Sequence, residues 1–137
     1  MNLVPDNPLR FAGYAALFDV PDGISDTIIR GAFSRTLSER TKPIPLFWQH
    51  KPEQPIGVVE QASEDSRGLR VIARLDNSDG YAASLLRDKA ISGLSFGYRA
   101  RRYRMGDKGR VLEDIDLIEV SLVSHPLQHE ARVHLVS

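Results

Sequence analysis

The sequence predicts a mainly β fold of the α+β class: an antiparallel β-barrel with a few short helices packed outside. Three observations carry this. Several short runs alternate apolar and polar residues with the two-residue period of a strand, Gly- and Pro-rich connections separate them, and only two segments have helical spacing.

In chain order, the first helical segment is Ala32 to Arg40. Ile56 to Ser63 and Leu69 to Leu75 follow as a hairpin; in the second run Leu69, Val71, Ala73 and Leu75 alternate with Arg70, Ile72 and Arg74, and Asp65-Ser66-Arg67-Gly68 supplies the turn. The second helical segment, Gly80 to Ala90, sets Tyr81, Ala82, Leu85 and Leu86 on one side, with Ser78 or Asp79 placed to cap it. Leu94, Phe96, Tyr98 and Ala100 form another alternating run. Gly106-Asp107-Lys108-Gly109 then turns the chain into its expected partner, Val111 to Val123.

The 137 residues suffice for one domain with one core, expected to span 1–137. A hydrophobic fraction of 42% with 26% charged residues belongs to a chain that folds. Lysine plus arginine balances aspartate plus glutamate at 18 each, so no overall field draws the protein to nucleic acid or an anionic membrane. With no cysteine, a disulfide framework, a thiolate zinc site and a cysteine nucleophile are excluded together. Met1 to Arg10 lacks a basic region followed by an apolar run, and no stretch approaches the roughly 20 apolar residues that span a bilayer, so no membrane association is expected.

Gly93-Leu94-Ser95-Phe96-Gly97 fits the Gly-x-Ser-x-Gly expression of α/β-hydrolases, where a sharp strand-to-helix turn exposes the serine. Here the residues after Ser95 alternate as a strand, which is the wrong context for that fold. The serine remains a candidate nucleophile, because triads arise on unrelated folds in several chain orders. On a strand, Ser95 shares a face with Gly97 while Leu94, Phe96 and Tyr98 point the other way. The alternative is an ordinary strand serine between glycines that mark a bulge or a close backbone approach.

His50 ends Leu46-Phe47-Trp48-Gln49-His50 and precedes Lys51-Pro52, so it sits where a strand gives way to a loop and can reach into a site; the competing reading is a surface histidine beside a lysine. Glu119 lies in the apolar run Leu117 to Val123, where a buried carboxylate needs a partner, although a solvent-facing glutamate fits the pattern too. Within that run Ile118, Val120 and Leu122 share one face and Glu119 and Ser121 the other, whereas Ile115 and Leu117 precede them in opposite phase. Such a shift predicts a local bulge.

His125 and His129 have the i, i+4 spacing of a helical metal pair, with His134 and Glu130 near; Pro126 and the lack of a matching acid argue against ligation, and no metal or cofactor is expected. Arg99, Arg101, Arg102 and Arg104, interleaved with Tyr98 and Tyr103, superficially suggest a nucleic-acid surface. Glu113, Asp114 and Asp116 on the paired strand instead favour cross-strand charge pairing.

Taken in order, Phe11-Ala12-Gly13-Tyr14-Ala15, Ile29-Arg30-Gly31-Ala32-Phe33, Trp48-Gln49-His50, Pro55-Ile56-Gly57, Gly68-Leu69-Arg70-Val71, Ser92 to Tyr98 and Glu119 to Val123 resemble the prohead proteases of HK97-type tailed phages. That family is distantly similar in fold to the herpesvirus assemblin proteases. The resemblance implies an assemblin-like fold and a serine endopeptidase in which Ser95 is the nucleophile, His50 the base and Glu119 the histidine-orienting member. The herpesvirus enzymes use a second histidine in the third role, so an acid here is a departure that the chemistry permits. Their oxyanion-stabilising basic pair has no counterpart after Ser124-His125-Pro126, where Leu127-Gln128 follow, which leaves backbone N–H groups nearby as the expected donors.

The resemblance further implies that scaffold and major capsid protein segments are the substrates, cleaved inside an assembling prohead in the host cytoplasm, with self-cleavage afterwards and a homodimer as the active form. A catalytically inactive assembly or scaffold protein that retains the fold is the rival reading, and a small β-barrel nucleic-acid binder a third.

Overall fold

A computed structural model describes residues 8–137. Among these residues, eight strands and two helices follow in the order β1 (Leu9–Leu17), β2 (Thr27–Ile28), α1 (Ser34–Glu39), β3 (Ile44–Trp48), β4 (Lys51–Glu64), β5 (Gly68–Leu75), α2 (Tyr81–Arg87), β6 (Gly93–Gly106), β7 (Gly109–Val123) and β8 (Val133–Val136). The mainly β expectation holds, with both helices short. The reading of Met1 to Arg10 as free of a targeting signal falls largely outside the described residues. Among the described residues, no helix is long and apolar enough to cross a membrane.

Both expected hairpins form. β4 and β5 pair antiparallel, with Val59 opposite Ala73 and Ala62 opposite Val71. The Asp65 carboxylate closes their turn by accepting from the Arg67 and Gly68 amides, which is the local bonding that favours Asp at turn starts. β6 and β7 pair antiparallel from Gly93 opposite Val123 to Gly106 opposite Gly109. On this hairpin Arg99 and Arg101 reach Asp116, and Arg102 and Arg104 reach Glu113, so the arginine strip is met by cross-strand acids as expected.

Of the expected antiparallel barrel, the purely antiparallel pairing needs correction. The strands form one sheet in the order β2-β7-β3-β4-β5-β1-β8, with β6 on the other edge of β7. It is mixed, because β2 and β3 both run parallel to β7. Among the described residues, no strand-to-strand ladder closes it into a ring; β6 and the chain leading to β8 share an isolated bridge, Gly93 with Arg132.

The parallel pairings follow from how the second edge of β7 is shared. β2 pairs with Val111 and Leu112, and β3 pairs with Val120 to Leu122. The stretch between them is satisfied by α1 and its flanks: the Ile115 amide donates to Ala32 O, the Leu117 amide to Thr36 Oγ1, and Arg40 donates to Leu117 O. Arg35 adds bonds to Asp114, Asp116 and Ile115 O. Buried backbone groups need partners, and a long strand with too little sheet beside it obtains them from a helix.

Phe11, Phe33, Leu46, Leu69, Leu75, Leu94, Leu112, Ile115 and Leu122 are fully buried in the core, each contributing about 1.5–3 kcal/mol by removal from water. Around α2, the buried residues are Ala83 and Leu86, while Tyr81 is exposed; the predicted apolar side was therefore partly misplaced. Neither Ser78 nor Asp79 caps α2. Gly80 occupies the N-cap without a side-chain bond, and Asn77 accepts the Asp79 amide.

Candidate active site

The site is assembled on β7 and its two neighbours. The predicted phase shift is a bulge: Gly97 faces Glu119 and Tyr98 faces Leu117, so Ile118 has no counterpart on β6. Ile118 is 51% exposed, whereas Glu119 is 6% exposed and Val120 and Ser121 are fully buried. The extra residue breaks the alternation there and sends the Glu119 carboxylate inward. The solvent-facing reading of Glu119 is thereby overturned.

Glu119 has the partners a buried carboxylate requires. Its Oε1 lies 2.6 Å from His50 Nδ1, and its Oε2 accepts from Ser121 Oγ at 2.6 Å. An ionised carboxylate only accepts, so His50 Nδ1 carries the proton toward it and Nε2 is left as the basic nitrogen. The hydrogen bond to Glu119 raises the histidine pKa above its ordinary 6.5, partial burial opposes this, and the charge of Glu119 adds to the rise.

His50 reaches Glu119 because of the β3–β4 connection. Trp48 pairs with Lys51, leaving Gln49 and His50 as a two-residue turn, and both have positive φ, 52° and 61°. That is the backbone signature of a type I′ hairpin turn. Parallel pairing of β3 with β7 sets Trp48 beside Leu122, so the turn emerges next to Glu119. Gln49 secures it: its amide N–H donates to Leu122 O, its Nε2 donates to Ser124 Oγ at 2.7 Å, and its Oε1 accepts from the Ser124 amide at 3.1 Å.

Ser95 lies on β6 directly opposite Ser121, the residue bonded to Glu119, and facing residues of a ladder have Cβ atoms about 4.5–5.5 Å apart. Ser95 is 5% exposed. Its flanking glycines each have a steric reason. A Cβ at Gly97 would stand 2.4 Å from Glu119 Oε1, and one at Gly93 would stand 2.8 Å from Pro126 Cδ and 2.5 Å from Val123 O. The Gly-x-Ser-x-Gly pattern thus leaves room for a carboxylate on one side of Ser95 and a proline ring on the other. The close-approach reading of these glycines holds, and what they approach lies around Ser95.

The structure brings His50 and Glu119 into contact and places Ser95 on the same patch of sheet, one residue across from Ser121. Gln49, Ser121, Ser124 and Pro126 also build the site. Of these the sequence signalled Ser121 by its face shared with Glu119, and the resemblance drew in Ser124 and Pro126 as the neighbourhood of the oxyanion donors and Gln49 as part of the Trp48-Gln49-His50 motif, without a role for the Gln49 side chain. The segment after β7 is a run of turns rather than a helix, so the i, i+4 spacing of His125 and His129 does not align them. Among the described residues no group of three or more His, Asp or Glu side chains is arranged to hold a metal. Gln128 pins this segment: it is buried, its Oε1 accepts from the Leu17 amide, and its Nε2 donates to Leu17 O and Val20 O.

Residues 4–137 match the family described as caudovirus prohead serine protease. The prohead protease of Enterobacteria phage HK97 is 30% identical over 130 residues, which cover 90% of this chain and 58% of that protein. The capsid polyprotein of Pseudomonas phage PAJU2 is 28% identical over 102 residues, 66% of this chain and 15% of that protein. This chain therefore spans only part of the length of both relatives.

Among solved structures, the bacteriophage T4 capsid assembly protease superposes with a TM-score of 0.66 at 13% identity, covering 85% of this chain and 81% of that one. KSHV protease in complex with a hexapeptide phosphonate inhibitor gives 0.62 at 16% identity, covering 96% and 65%. These two likenesses are of fold.

Proposed function

Because the chain belongs to the caudovirus prohead serine protease family, we propose that it is a serine endopeptidase of phage capsid maturation, with Ser95, His50 and Glu119 as its catalytic residues. The observation that carries the assignment is the 2.6 Å contact between His50 Nδ1 and a buried Glu119, on the patch of sheet where Ser95 faces Ser121.

In this mechanism Ser95 Oγ attacks the scissile carbonyl while His50 Nε2 takes the hydroxyl proton. The C–N bond then breaks as His50 returns that proton to the leaving amine, and water hydrolyses the acyl-enzyme by the same steps in reverse roles. Glu119 holds the ring and stabilises the imidazolium. Backbone N–H groups of the 124–131 segment stabilise the oxyanion; the packing of Pro126 against Gly93 sets that segment beside the nucleophile's strand.

The substrates are scaffold and major capsid protein segments, cleaved within the assembling prohead in the host cytoplasm, and the enzyme then cleaves itself. The whole of 1–137 acts as one protease domain and self-associates as a homodimer, which light scattering of the active species tests. The sheet is read as a nearly closed barrel; the Gly93–Arg132 bridge and the bonds from the Leu94 amide to Ala131 O and the Val133 amide to Ser92 O support this.

The deciding experiment incubates the protein with capsid and scaffold protein from the same phage and follows labelling by a fluorophosphonate probe. Cleavage and labelling are expected for the wild type and neither for Ser95→Ala. A folded wild type that neither cleaves nor labels makes this an assembly protein that kept the fold without the activity.

A further inference from the structure

We infer that Gln49 is a positioning residue, one that fixes the His50 imidazole on Glu119 by tying the turn to Ser124. The inference rests on the reading of His50 as the catalytic base and goes beyond it.

A two-residue turn with positive φ at both positions ordinarily selects Asn-Gly or Asp-Gly. Here the pair is Gln-His, at φ 52° and 61°, in a backbone region that non-glycine residues seldom occupy and that concentrates at functional sites. Residues so ill-suited to the backbone are held there by what their side chains do. His50 meets Glu119. Gln49 uses both ends of its amide on Ser124, donating to the hydroxyl and accepting from the backbone N–H, while its own N–H is bound by Leu122 O.

The position of Ser124 gives the clamp its meaning. It follows directly on β7, the strand that carries Glu119 and Ser121, and begins the segment in which Pro126 packs over Gly93. Gly93 and Ser95 lie two residues apart on β6 and so share a face. One amide therefore links the turn that bears the base to the segment that flanks the nucleophile. Removing it leaves the turn tied to β7 through the position-49 N–H bond to Leu122 O alone, with no link to Ser124, and a displacement of about 1 Å at a reacting group can cost 10²-fold in rate.

The test uses Gln49→Gly, which removes the clamp and also relieves the left-handed strain, so that the fold is preserved. The expected result is an unchanged or higher melting temperature with kcat lowered about 10- to 100-fold at near-constant KM. The His50 titration, followed by NMR, should move down toward the ordinary histidine value. Gln49→Asn, one methylene short of Ser124 but tolerant of positive φ, should behave alike. Ser124→Ala should lower kcat less, because the backbone half of the clamp survives, and adding it to Gln49→Gly should cost little more, as coupled residues are non-additive.

An unchanged His50 titration in the folded variants overturns the inference, as does an unchanged kcat where the wild type cleaves. Should the wild type cleave nothing, the protease reading fails by itself, and the His50 titration alone still decides whether Gln49 positions the ring.

Discussion

Gly97→Ala isolates the link between strand packing and the proposed chemistry. A Cβ at position 97 would stand 2.4 Å from Glu119 Oε1 and 3.0 Å from its Cδ and Cγ, whereas ordinary contact begins at 3.4 Å. The carboxylate must therefore retreat by 3.4 − 2.4, or about 1.0 Å. It cannot close on His50, where the contact is already 2.6 Å. A retreat away from His50 lengthens that contact by up to this amount, from 2.6 Å to as much as about 3.6 Å, beyond hydrogen-bond reach. A displacement of that size predicts a loss of kcat/KM on the order of 10²-fold. The fold should survive, because the methyl meets the end of a side chain rather than backbone. Overpacking costs about 1–3 kcal/mol, and the extended backbone of Gly97 lets alanine recover about 0.4–1 kcal/mol through the unfolded state. The assays are peptide cleavage, a thermal melt and NMR titration of His50, whose pKa should fall as the bond to Glu119 is lost. A folded Gly97→Ala enzyme with wild-type kcat/KM and a wild-type His50 titration would refute the reasoning.

Glu119→Gln keeps the shape but removes the charge and the preference for one imidazole tautomer, so activity should drop by a factor on the order of 10 to 10⁴; normal cleavage by this variant would move the third role elsewhere. Since the base must be neutral and its pKa is raised above 6.5, the acid limb of the wild-type pH–rate profile should lie above that value, and Glu119→Gln should move it down. Stability responds with the opposite sign: what protonated His50 contributes through Glu119 is fully present below pH 6.5 and is lost as pH rises through the raised folded-state value, a trend that denaturant melts across this range would reveal. Away from the site, buried Asp26 accepts two bonds from Arg110 and one from Tyr98. Asp26→Asn should therefore destabilise by about 1–3 kcal/mol in a urea melt without altering the His50 titration.

Features set by neighbours in the chain are legible in the sequence itself. The β4–β5 and β6–β7 hairpins need only alternation and turn chemistry, since antiparallel partners close in sequence pair through a short loop. The phase change between Leu117 and Val120 marks the Ile118 bulge because side-chain direction along a strand has a strict period of two. Ser95, His50 and Glu119 stand out by residue type, local setting and the resemblance that links their motifs.

Tertiary structure alone decides the rest. Nothing local in Ile44–Trp48 says that it lies parallel to β7; that pairing arises because α1 covers the middle of the β7 edge and leaves Val120 to Leu122 open. It is this non-local pairing that carries the Gln49-His50 turn to Glu119, 69 residues further along the chain from His50. The purpose of Gly93 and Gly97 is likewise invisible in the sequence, since the atoms that forbid a Cβ there belong to Pro126, Val123 and Glu119 on other segments. Alternation records which way a side chain points. What it points at depends on which distant strand lies alongside, and that is settled by the competition of the whole chain for backbone hydrogen bonds and buried apolar surface.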